Sequence, residues 1–429
     1  CLFNYEIPEF GDPIQDMRKI PFFSIEKRIE KWIEETDGNS VLERIKDDTL
    51  FIDLHPVRAK FILLSAARVF SKINPETSLY VIELAKKSGF EDEGFLRIGA
   101  KSKERLGLIE DALKILEHCK QPSSISLITR MQELKAVLED GLNLDSLGDL
   151  SEDYVGNGTI LYNVHSSLPY QISGYTIRTS QIVNNLKRMG FEINVNSRWG
   201  FPTDRYDYAG SEVIERESII EGIPHFFSPD PVGIRKNKLG GYSIEAAKSI
   251  VEHAKRTGAS VIHSASDYSI GLSSAMAARS LKLPFIYEMR GLWAITKLVT
   301  EPNFEHTTEF KIAMRLEKQC ASAADTVLVI SEKLKAILIG WGIDEKKIIV
   351  VPNGADFSKE IIEETQAISS VLRLGYLGSV VDYEGLDILI EASKIVERRY
   401  PGRISIDIFG DGKAREELEK ISDSCEFNR

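Results

Sequence analysis

The chain has 429 residues, 43% of them hydrophobic, and a formal net charge of −11. This length exceeds what one hydrophobic core fills, so two or three domains are expected, and the acidic balance argues against nucleic acid as a partner. The four cysteines lie far apart and form no CxxC or Cys/His cluster, which indicates neither a disulfide framework nor a zinc site. No apolar run reaches the roughly 18 residues that span a bilayer, and no signal peptide is visible, so we expect a cytoplasmic protein.

The first third of the chain carries helical periodicity, from about Phe22 to Gly141. Stretches of about 12 to 15 residues with short breaks resemble a helical-hairpin array of the tetratricopeptide type. The repeat signature is not clean, however, which favours the alternative of an α-helical cap or dimerisation module. We therefore predict an α-helical region over residues 1–150, and leave its type open between these two.

An acidic, turn-rich linker at 144–157 separates this region from a different pattern. Strands are predicted at 159–165, 191–197, 213–220, 260–264, 284–289, 325–330 and 347–352. Helices are predicted at 174–189, 241–257, 269–281, 307–323 and 331–340. This alternation predicts an α/β domain at 151–368, a doubly wound, mostly parallel sheet with helices on both faces.

A second unit of the same kind begins after the polar stretch 359–370, which we interpret as a hinge. Residues 372–378 read as a strand, and a new helix starts at about Gly385, so we place the unit at 369–429. Few strands follow before the last residue, and we interpret the sequence as breaking off within this unit. Apolar surface along 372–409 is then expected to be exposed.

The turn between the first strand and its helix is suited to binding an anion, because backbone N–H groups and the positive end of the helix dipole meet there. Gly174 allows the backbone to approach a ligand, and Arg178 follows one helical turn later. Arg198 ends the next strand, and two arginines that converge at strand ends would clamp a phosphate or carboxylate. The alternative is that Arg178 is a solvated helix residue.

Two further strand ends carry polar side chains. His263 could bond a sugar hydroxyl or carry a proton, or it could be a core histidine with its hydrogen bonds satisfied. Glu288 and Arg290, two residues apart, would face the same cleft next to Trp293. The alternative for Glu288 and Arg290 is an internal ion pair that closes the sheet. In the second unit, the corresponding turns hold Gly378 with Ser379, and Gly412.

Four stretches, in this order and at this spacing, resemble retaining glycosyltransferases of the GT-B fold, family 4. They are Ser-Gly-Tyr-Thr-Ile-Arg at 173–178, Tyr-Glu-Met-Arg-Gly-Leu-Trp at 287–293, Val-Pro-Asn-Gly-Ala-Asp at 351–356, and Gly-Tyr-Leu-Gly-Ser with Tyr-Glu-Gly-Leu-Asp-Ile-Leu at 375–389. The resemblance covers residues 160–429 and does not extend to the helical region.

The resemblance implies transfer of a sugar from a nucleotide diphosphate sugar to an acceptor, with retention of the anomeric configuration. The first lobe would bind the acceptor and the second the nucleotide sugar. With the residue analysis, it leads to three groups of site residues: catalytic His263, Glu288 and Arg290; donor- and phosphate-binding Gly174, Arg178, Gly378, Ser379 and Gly412; and acceptor-side Arg198 and Trp293.

The chain departs from the family pattern at two places. Many members carry His-x-His where this chain has His263 and Ala265, and most carry Arg and Lys in the second-lobe turn, where this chain has Ser379 and Glu384. Charge compensation for the diphosphate would then come from elsewhere, with Arg290 among the candidates. The family's pair of glutamates spaced eight apart lies beyond residue 429, so we expect this chain to be inactive alone.

The expected partners follow from the resemblance. They are the nucleotide sugar, a carbohydrate or lipid-linked acceptor in cell-surface polysaccharide or glycoconjugate synthesis, the inner face of the membrane as a peripheral site, and a protein partner for residues 1–150. No cofactor is expected and no metal is required, because helix N-termini and arginines can stabilise the leaving diphosphate. The alternatives are a non-catalytic helical scaffold with a degenerate sugar-binding lobe, and an epimerase or phosphorylase on the same fold.

Overall fold

The computed structural model describes residues 22–35, 55–205, 214–229, 239–354 and 371–423. The chain divides into two compact units, Cys1–Gly291 with Glu305–Val351, and Leu292–Phe304 with Pro352–Arg429. The predicted hinge at 359–370 and the end of the 351–356 stretch lie outside the described residues. The three-part division at residues 150 and 368 stays a prediction.

The N-terminal part of the first unit is helical, as predicted. Its helices are α1 (Phe22–Glu35), α2 (Pro56–Ile73), α3 (Pro75–Lys87), α4 (Glu93–Arg105), α5 (Ile109–Leu116) and α6 (Pro122–Asp140). Asn74 begins α3 by accepting a hydrogen bond from Thr77 N at 3.1 Å, and Asp92 caps α4 in the same way. Consecutive helices pack together, and α2, α4 and α6 also pack side by side. Buried apolar side chains of α1 to α4 form one cluster, and those of α4 to α6 form a second.

An eight-stranded sheet follows in the same unit. Its strands are β1 (Thr159–Val164), β2 (Ile193–Ser197), β3 (Glu217–Ile220), β4 (Ile223–Phe226), β5 (Ala259–Ala265), β6 (Phe285–Met289), β7 (Thr326–Val329) and β8 (Ile348–Val350). Their order is β3-β4-β2-β1-β5-β6-β7-β8. Every pairing is parallel except that of β3 with β4. The predicted doubly wound, mostly parallel sheet is confirmed.

One strand of this sheet was not predicted. The sequence indicates a single strand at 213–220, whereas the structure has a hairpin of β3 and β4. The chain reverses at Glu221 and Gly222, whose φ angles of 52° and 74° both lie in the left-handed region. That conformation is uncommon for glutamate, and proline is uncommon within a strand such as β4, where Pro224 lies. The local sequence therefore predicts neither the turn nor the second strand.

The helices of this part are α7 (Gly174–Arg188), α8 (Leu239–Thr257), α9 (Tyr268–Leu281), α11 (Thr308–Ala323) and α12 (Glu332–Gly340). The short α10 (Trp293–Lys297) belongs to the second unit.

Parallel pairing sets Tyr162, His263 and Ile286 in one row, and Val183 of α7 packs with Tyr162 on that face. Tyr287, one residue further along β6, points to the other face and bonds Glu317 of α11. The sheet is therefore covered on both faces.

Helix α11 also holds the N-terminal helices in place. Gln319 accepts a hydrogen bond from Leu142 N at 2.9 Å and donates to Leu142 O at 2.7 Å. Lys311 donates to Gly107 O at 3.2 Å, and Arg315 donates to the last turn of α6 at Glu139 O, at 3.3 Å. The helical region and the sheet thus share α11 as a common element.

The second unit contains the parallel strands β9 (Leu372–Leu377) and β10 (Ile404–Phe409) with helices α13 (Leu386–Arg399) and α14 (Arg415–Asp423). Strand, turn and helix follow one another twice, so the predicted start of a second Rossmann-type lobe is confirmed. Its small core includes Val380, Leu386 and Leu418. Leu377 and Phe409 are exposed, as predicted for the apolar surface along 372–409.

Candidate functional site

Glu288 is the centre of a polar cluster at the carboxyl end of β6. Its Oε1 accepts a hydrogen bond from Arg178 Nε at 2.9 Å. Its Oε2 accepts from the hydroxyl of Tyr162 and from Arg290 Nη2, the latter at 3.2 Å. The carboxylate is 1% exposed, so its charge is balanced by these neighbours and not by solvent.

The charge state of Glu288 follows from these contacts. Burial by itself would raise the pKa of Glu288, but the charge of Arg290, the proximity of His263 and the hydrogen bonds from Tyr162 and Arg290 lower it to about 2. The carboxylate is therefore ionised at neutral pH. It cannot serve as a general acid at neutral pH, and this geometry favours the internal ion pair over a proton-transfer role.

Arg290 links β6 to the first turns of α7. Its Nη1 donates to Tyr175 O at 2.8 Å and to Thr179 Oγ1 at 2.9 Å, and its guanidinium lies 4.4 Å from the centre of the Tyr175 ring. Its Nη2 donates to Tyr162 at 2.6 Å. The Nε atom is buried and makes no hydrogen bond with any described residue. Arg290 therefore fixes the position of α7 on the sheet.

His263 lies beside this cluster but is not hydrogen-bonded to it. Its ring stacks on Tyr162 with 4.2 Å between the ring centres, and its Nε2 is 3.7 Å from Glu288 Oε2. Burial lowers the pKa of His263 to about 4, so the imidazole is neutral at neutral pH. Its buried Nε2 has no hydrogen-bond partner among the described residues, which is unlike the satisfied core histidine of the alternative interpretation.

Arg198 is held away from solvent by a second carboxylate. It donates from Nε and Nη2 to the two carboxylate oxygens of Asp204, at 3.0 and 2.7 Å. Its Nη1 donates to His165, at the carbonyl oxygen and at Nδ1, and the residue is 4% exposed. His165 N in turn donates to the hydroxyl of Tyr175 at 2.9 Å. Arg198 is thus connected to Arg290 through His165 and Tyr175.

The N-terminus of α7 is the open part of this edge. Ser173 and Thr176 form a capping box, in which each side chain accepts a hydrogen bond from the other residue's backbone N–H. In the described structure no hydrogen bond leaves the N–H groups of Gly174 and Tyr175. Gly174 is exposed, and a Cβ added there would meet no atom within 4 Å. A ligand anion can therefore approach these two N–H groups.

Arg178, one turn further along α7, contributes charge to this edge. Its side chain is 13% exposed, and besides its pairing with Glu288 it donates from Nη2 to Val351 O at 3.1 Å. Among the described residues, two arginines and one carboxylate meet here. The structure thus brings together His263, Glu288, Arg290, Arg178, Gly174 and, through His165, Arg198.

The remaining predicted site residues lie in the second unit. Gly378 and Ser379 follow β9 and are exposed, and Gly412 follows β10. The two turns pack together, with Gly378 N donating to Phe409 O at 3.0 Å and Val380 N donating to Asp411 O at 3.0 Å. Trp293 begins the short α10, where its ring packs 6.0 Å from that of Phe304.

Three residues of the cluster were not predicted from the sequence: Tyr162, His165 and Tyr175. Tyr162 and Tyr175 are buried aromatic side chains whose hydroxyls complete the hydrogen bonding of Glu288 and His165. A tyrosine in a buried strand reads as core, and only the pairing of Tyr162 with His263 across β1 and β5 would have placed it at the site. His165 directly follows β1, and its strand-end position was the available signal.

No group of three or more His, Cys, Asp or Glu side chains in the described ranges could hold a metal ion. No helix within those ranges is long and apolar enough to cross a membrane.

The fold and this edge of the sheet define an α/β protein in which exposed backbone N–H groups and arginines meet at the ends of parallel strands. Residues 172–359 match the model of Glycosyltransferase Family 4. The resemblance predicted from the four sequence stretches is thus confirmed. No curated protein matches the chain.

Solved structures of sugar-handling enzymes are similar to this chain at low identity. The lipopolysaccharide outer core galactosyltransferase WaaB in its apo form is 14% identical, with a TM-score of 0.43, over 62% of this chain and 64% of that one. Anabaena HepE in complex with UDP is 14% identical, with a TM-score of 0.40, over 62% and 65%. UDP-GlcNAc 2-epimerase from Methanocaldococcus jannaschii is 15% identical, with a TM-score of 0.38, over 63% and 71%. The chain spans less than two thirds of the first two proteins.

Proposed function

We propose that the protein is a glycosyltransferase that moves a hexose from a nucleotide diphosphate sugar to an acceptor, with retention of the anomeric configuration. The observation that carries this proposal is the group of exposed N–H groups and arginines at the carboxyl edge of the first sheet, which lies within the segment that matches the model of Glycosyltransferase Family 4. There, the open N-terminus of α7 adjoins Arg178 and Arg290.

The chemistry of sugar transfer fits these groups. Departure of a nucleoside diphosphate develops negative charge on the phosphate, and backbone N–H groups with fixed guanidinium groups stabilise that charge without reorganising. Arg290 is locked by four hydrogen bonds, and Arg178 by the Glu288 carboxylate, so both are preorganised. We propose on this ground that the reaction needs neither a metal ion nor a cofactor.

The roles of the single residues are part of the proposal. Gly174 and Arg178 contact the donor phosphates. For the second unit, we keep the prediction from the sequence that Gly378, Ser379 and Gly412 bind the donor. His263 lies near the reacting sugar. Glu288 positions α7, and Arg290 both positions α7 and supplies fixed positive charge near the phosphates. Arg198 and Trp293 serve the acceptor side, where Arg198, paired with Asp204, acts by holding His165.

The acceptor and the cellular setting complete the proposal. We propose a carbohydrate or lipid-linked acceptor used in cell-surface polysaccharide or glycoconjugate synthesis, at the inner face of the membrane. The protein would then work in the cytoplasm, where nucleotide sugars are the donors.

The test is a donor screen by mass spectrometry on the full-length protein, followed by NMR of the product to read its anomeric configuration. Arg178→Gln is expected to lower kcat/KM by about 10- to 100-fold, because it removes a fixed charge at the phosphate. Arg188→Gln, at the other end of the same helix, is the matched control and should change kcat/KM by less than about twofold. Activity should survive EDTA.

Several results would overturn the proposal. Donor incubated alone could yield an epimerised nucleotide sugar with no release of nucleoside diphosphate, which would make the protein an epimerase. An inverted product would contradict retention. Equal effects of the two arginine substitutions would remove Arg178 from the donor site.

A further inference from the structure

Basic side chains form a stripe across the packed N-terminal helices. On α4, Arg97, Lys101 and Arg105 are spaced four residues apart, which places them on one face of the helix. Arg68 and Lys72 have the same spacing on α2. Arg105 Nη1 donates to Lys72 O at 2.6 Å, so the two basic rows lie side by side.

Arg130 of α6 extends this stripe on the other side of α4. Its Nη2 contacts Glu104, which lies three residues from Lys101 on the same face of α4. Burial and the positive charges of Arg130, Arg68 and Arg97 lower the pKa of Lys101, with Glu104 opposing them. The cations are thus close enough to repel one another.

The stripe is richer in positive than in negative charge. Among the described residues, six cations meet four carboxylates here, a local excess of two in a chain whose net charge is −11. The carboxylates are Glu26, Glu30, Glu93 and Glu104. Lys101 makes no hydrogen bond or ion pair with any described residue, and it is exposed.

One end of the stripe already binds an acidic helix of the same chain. Glu26 of α1 pairs with Arg68 at 3.0 Å and with Lys72 at 3.5 Å, and Glu30 pairs with Lys72 at 3.4 Å. These two carboxylates are spaced four residues apart, as are the cations that they meet. One end of the stripe therefore already pairs with carboxylates at this spacing.

We propose that Arg97, Lys101, Arg105 and Arg130 form a docking surface for an acidic helical segment of a partner protein. The segment would place carboxylates at four-residue spacing against Arg97, Lys101 and Arg105, repeating the pairing of α1 with α2. Such a surface selects its partner by charge complementarity, and it speeds association more than it adds affinity. This surface is separate from the proposed sugar-transfer site.

The test uses fluorescence anisotropy on the full chain with a labelled peptide of Ala and Glu, in which Glu occurs every fourth residue. Binding is expected to saturate and to weaken as salt rises. Lys101→Glu should weaken it by at least about fivefold, since it replaces an attraction by a repulsion. A peptide with Lys in place of Glu should bind the Lys101→Glu variant more tightly than the parent chain, which a merely unfolded variant would not do.

Lys103→Glu is the matched control, because Lys103 lies on the same helix about 200° around its axis from Lys101. It makes the same change in net charge and should weaken peptide binding by less than about twofold. Equal weakening by the two variants would overturn the proposal, as would the lack of saturable binding. The protein could also bind phosphatidylserine vesicles in a way that depends on Lys101, while its binding of the peptide does not. That result would make the stripe a lipid-binding surface and would overturn the proposal.

Discussion

At the scale of single residues, Glu288 shows how a buried charge is stabilised. Two arginines and a tyrosine hydroxyl donate hydrogen bonds to its carboxylate oxygen atoms, and the residue is 1% exposed. Removing one member of such a network leaves the others buried and uncompensated, which costs more than the intact network contributes. The carboxylate therefore governs how Arg178 and Arg290 are held, and through Arg290 where α7 begins.

We expect Glu288→Gln to lower the free energy of unfolding by about 3–5 kcal/mol, because Arg178 and Arg290 then lack a counter-charge. Urea denaturation followed by circular dichroism measures this. Glu245→Gln, at an exposed position of α8, is the control and should stay within about 0.5 kcal/mol of the parent. A loss below about 1 kcal/mol for Glu288→Gln would show that the ion-pair cluster is not a stabilising element.

Single residues also mark how far the sequence could predict the site. The residues at strand ends were predicted to lie together because parallel strands place their carboxyl ends at one edge, and Arg178, His263 and Arg290 do lie around Glu288. The partners of those residues were not found. Tyr162 and Tyr175 come from within a strand and a helix, and their hydroxyls reach the site only through tertiary packing that local sequence does not encode.

At the scale of elements, the two turns of the second unit are fitted to each other. A Cβ on Gly412 would lie 2.1 Å from Val380 O, and one on Gly410 would lie 1.8 Å from Gly378 O. Both contacts are with backbone atoms, which cannot move aside as a flexible side chain can. These glycines are therefore required for the turns to pack, whatever Gly412 contributes to phosphate binding.

Gly412→Ala is expected to destabilise the second unit by about 2–4 kcal/mol, since the added methyl group overlaps a backbone carbonyl. Hydrogen exchange of the β9 and β10 amides reports on this unit alone. The control is Gly375→Ala in β9, where a Cβ would meet no atom within 4 Å. Unchanged protection in Gly412→Ala, or equal loss in both variants, would contradict this account.

The elements of the first sheet were largely predictable for a physical reason. Strands buried on both faces are continuous apolar runs, and the helices between them begin at side chains that cap, such as Ser173, Asp267 and Ser331. The β3–β4 hairpin escaped prediction because its turn uses Glu221 in a conformation that glutamate seldom adopts. Tertiary contacts stabilise this turn, among them Lys187 Nζ to Gly222 O at 2.7 Å.

At the scale of the whole molecule, Glu317 couples stability to pH. Tyr287 and Tyr268 N donate to its carboxyl group, but burial outweighs these bonds and raises its pKa from 4.5 to about 8. The folded chain therefore binds a proton that the unfolded chain releases between these two values. The stabilisation is fully present below pH 4.5 and is lost as the pH rises through 8.

We expect Glu317→Gln to flatten the pH dependence of stability between pH 5 and pH 8, because an amide stays neutral throughout. Urea denaturation across this range measures it, and the variant should gain stability relative to the parent as the pH rises. Glu309→Gln, an exposed residue of the same helix, should leave the slope unchanged. An identical slope in Glu317→Gln and the parent would assign the pH dependence to other groups.

Helix α11 carries Glu317 toward the sheet and Gln319 toward Leu142. The N-terminal helices and the sheet of the first unit therefore pack against one shared helix, so removing either part would expose a face of α11. Grafting the N-terminal helices onto another protein would therefore require α11 as well. Otherwise Gln319, Lys311 and Arg315 would have to be rebuilt on the recipient.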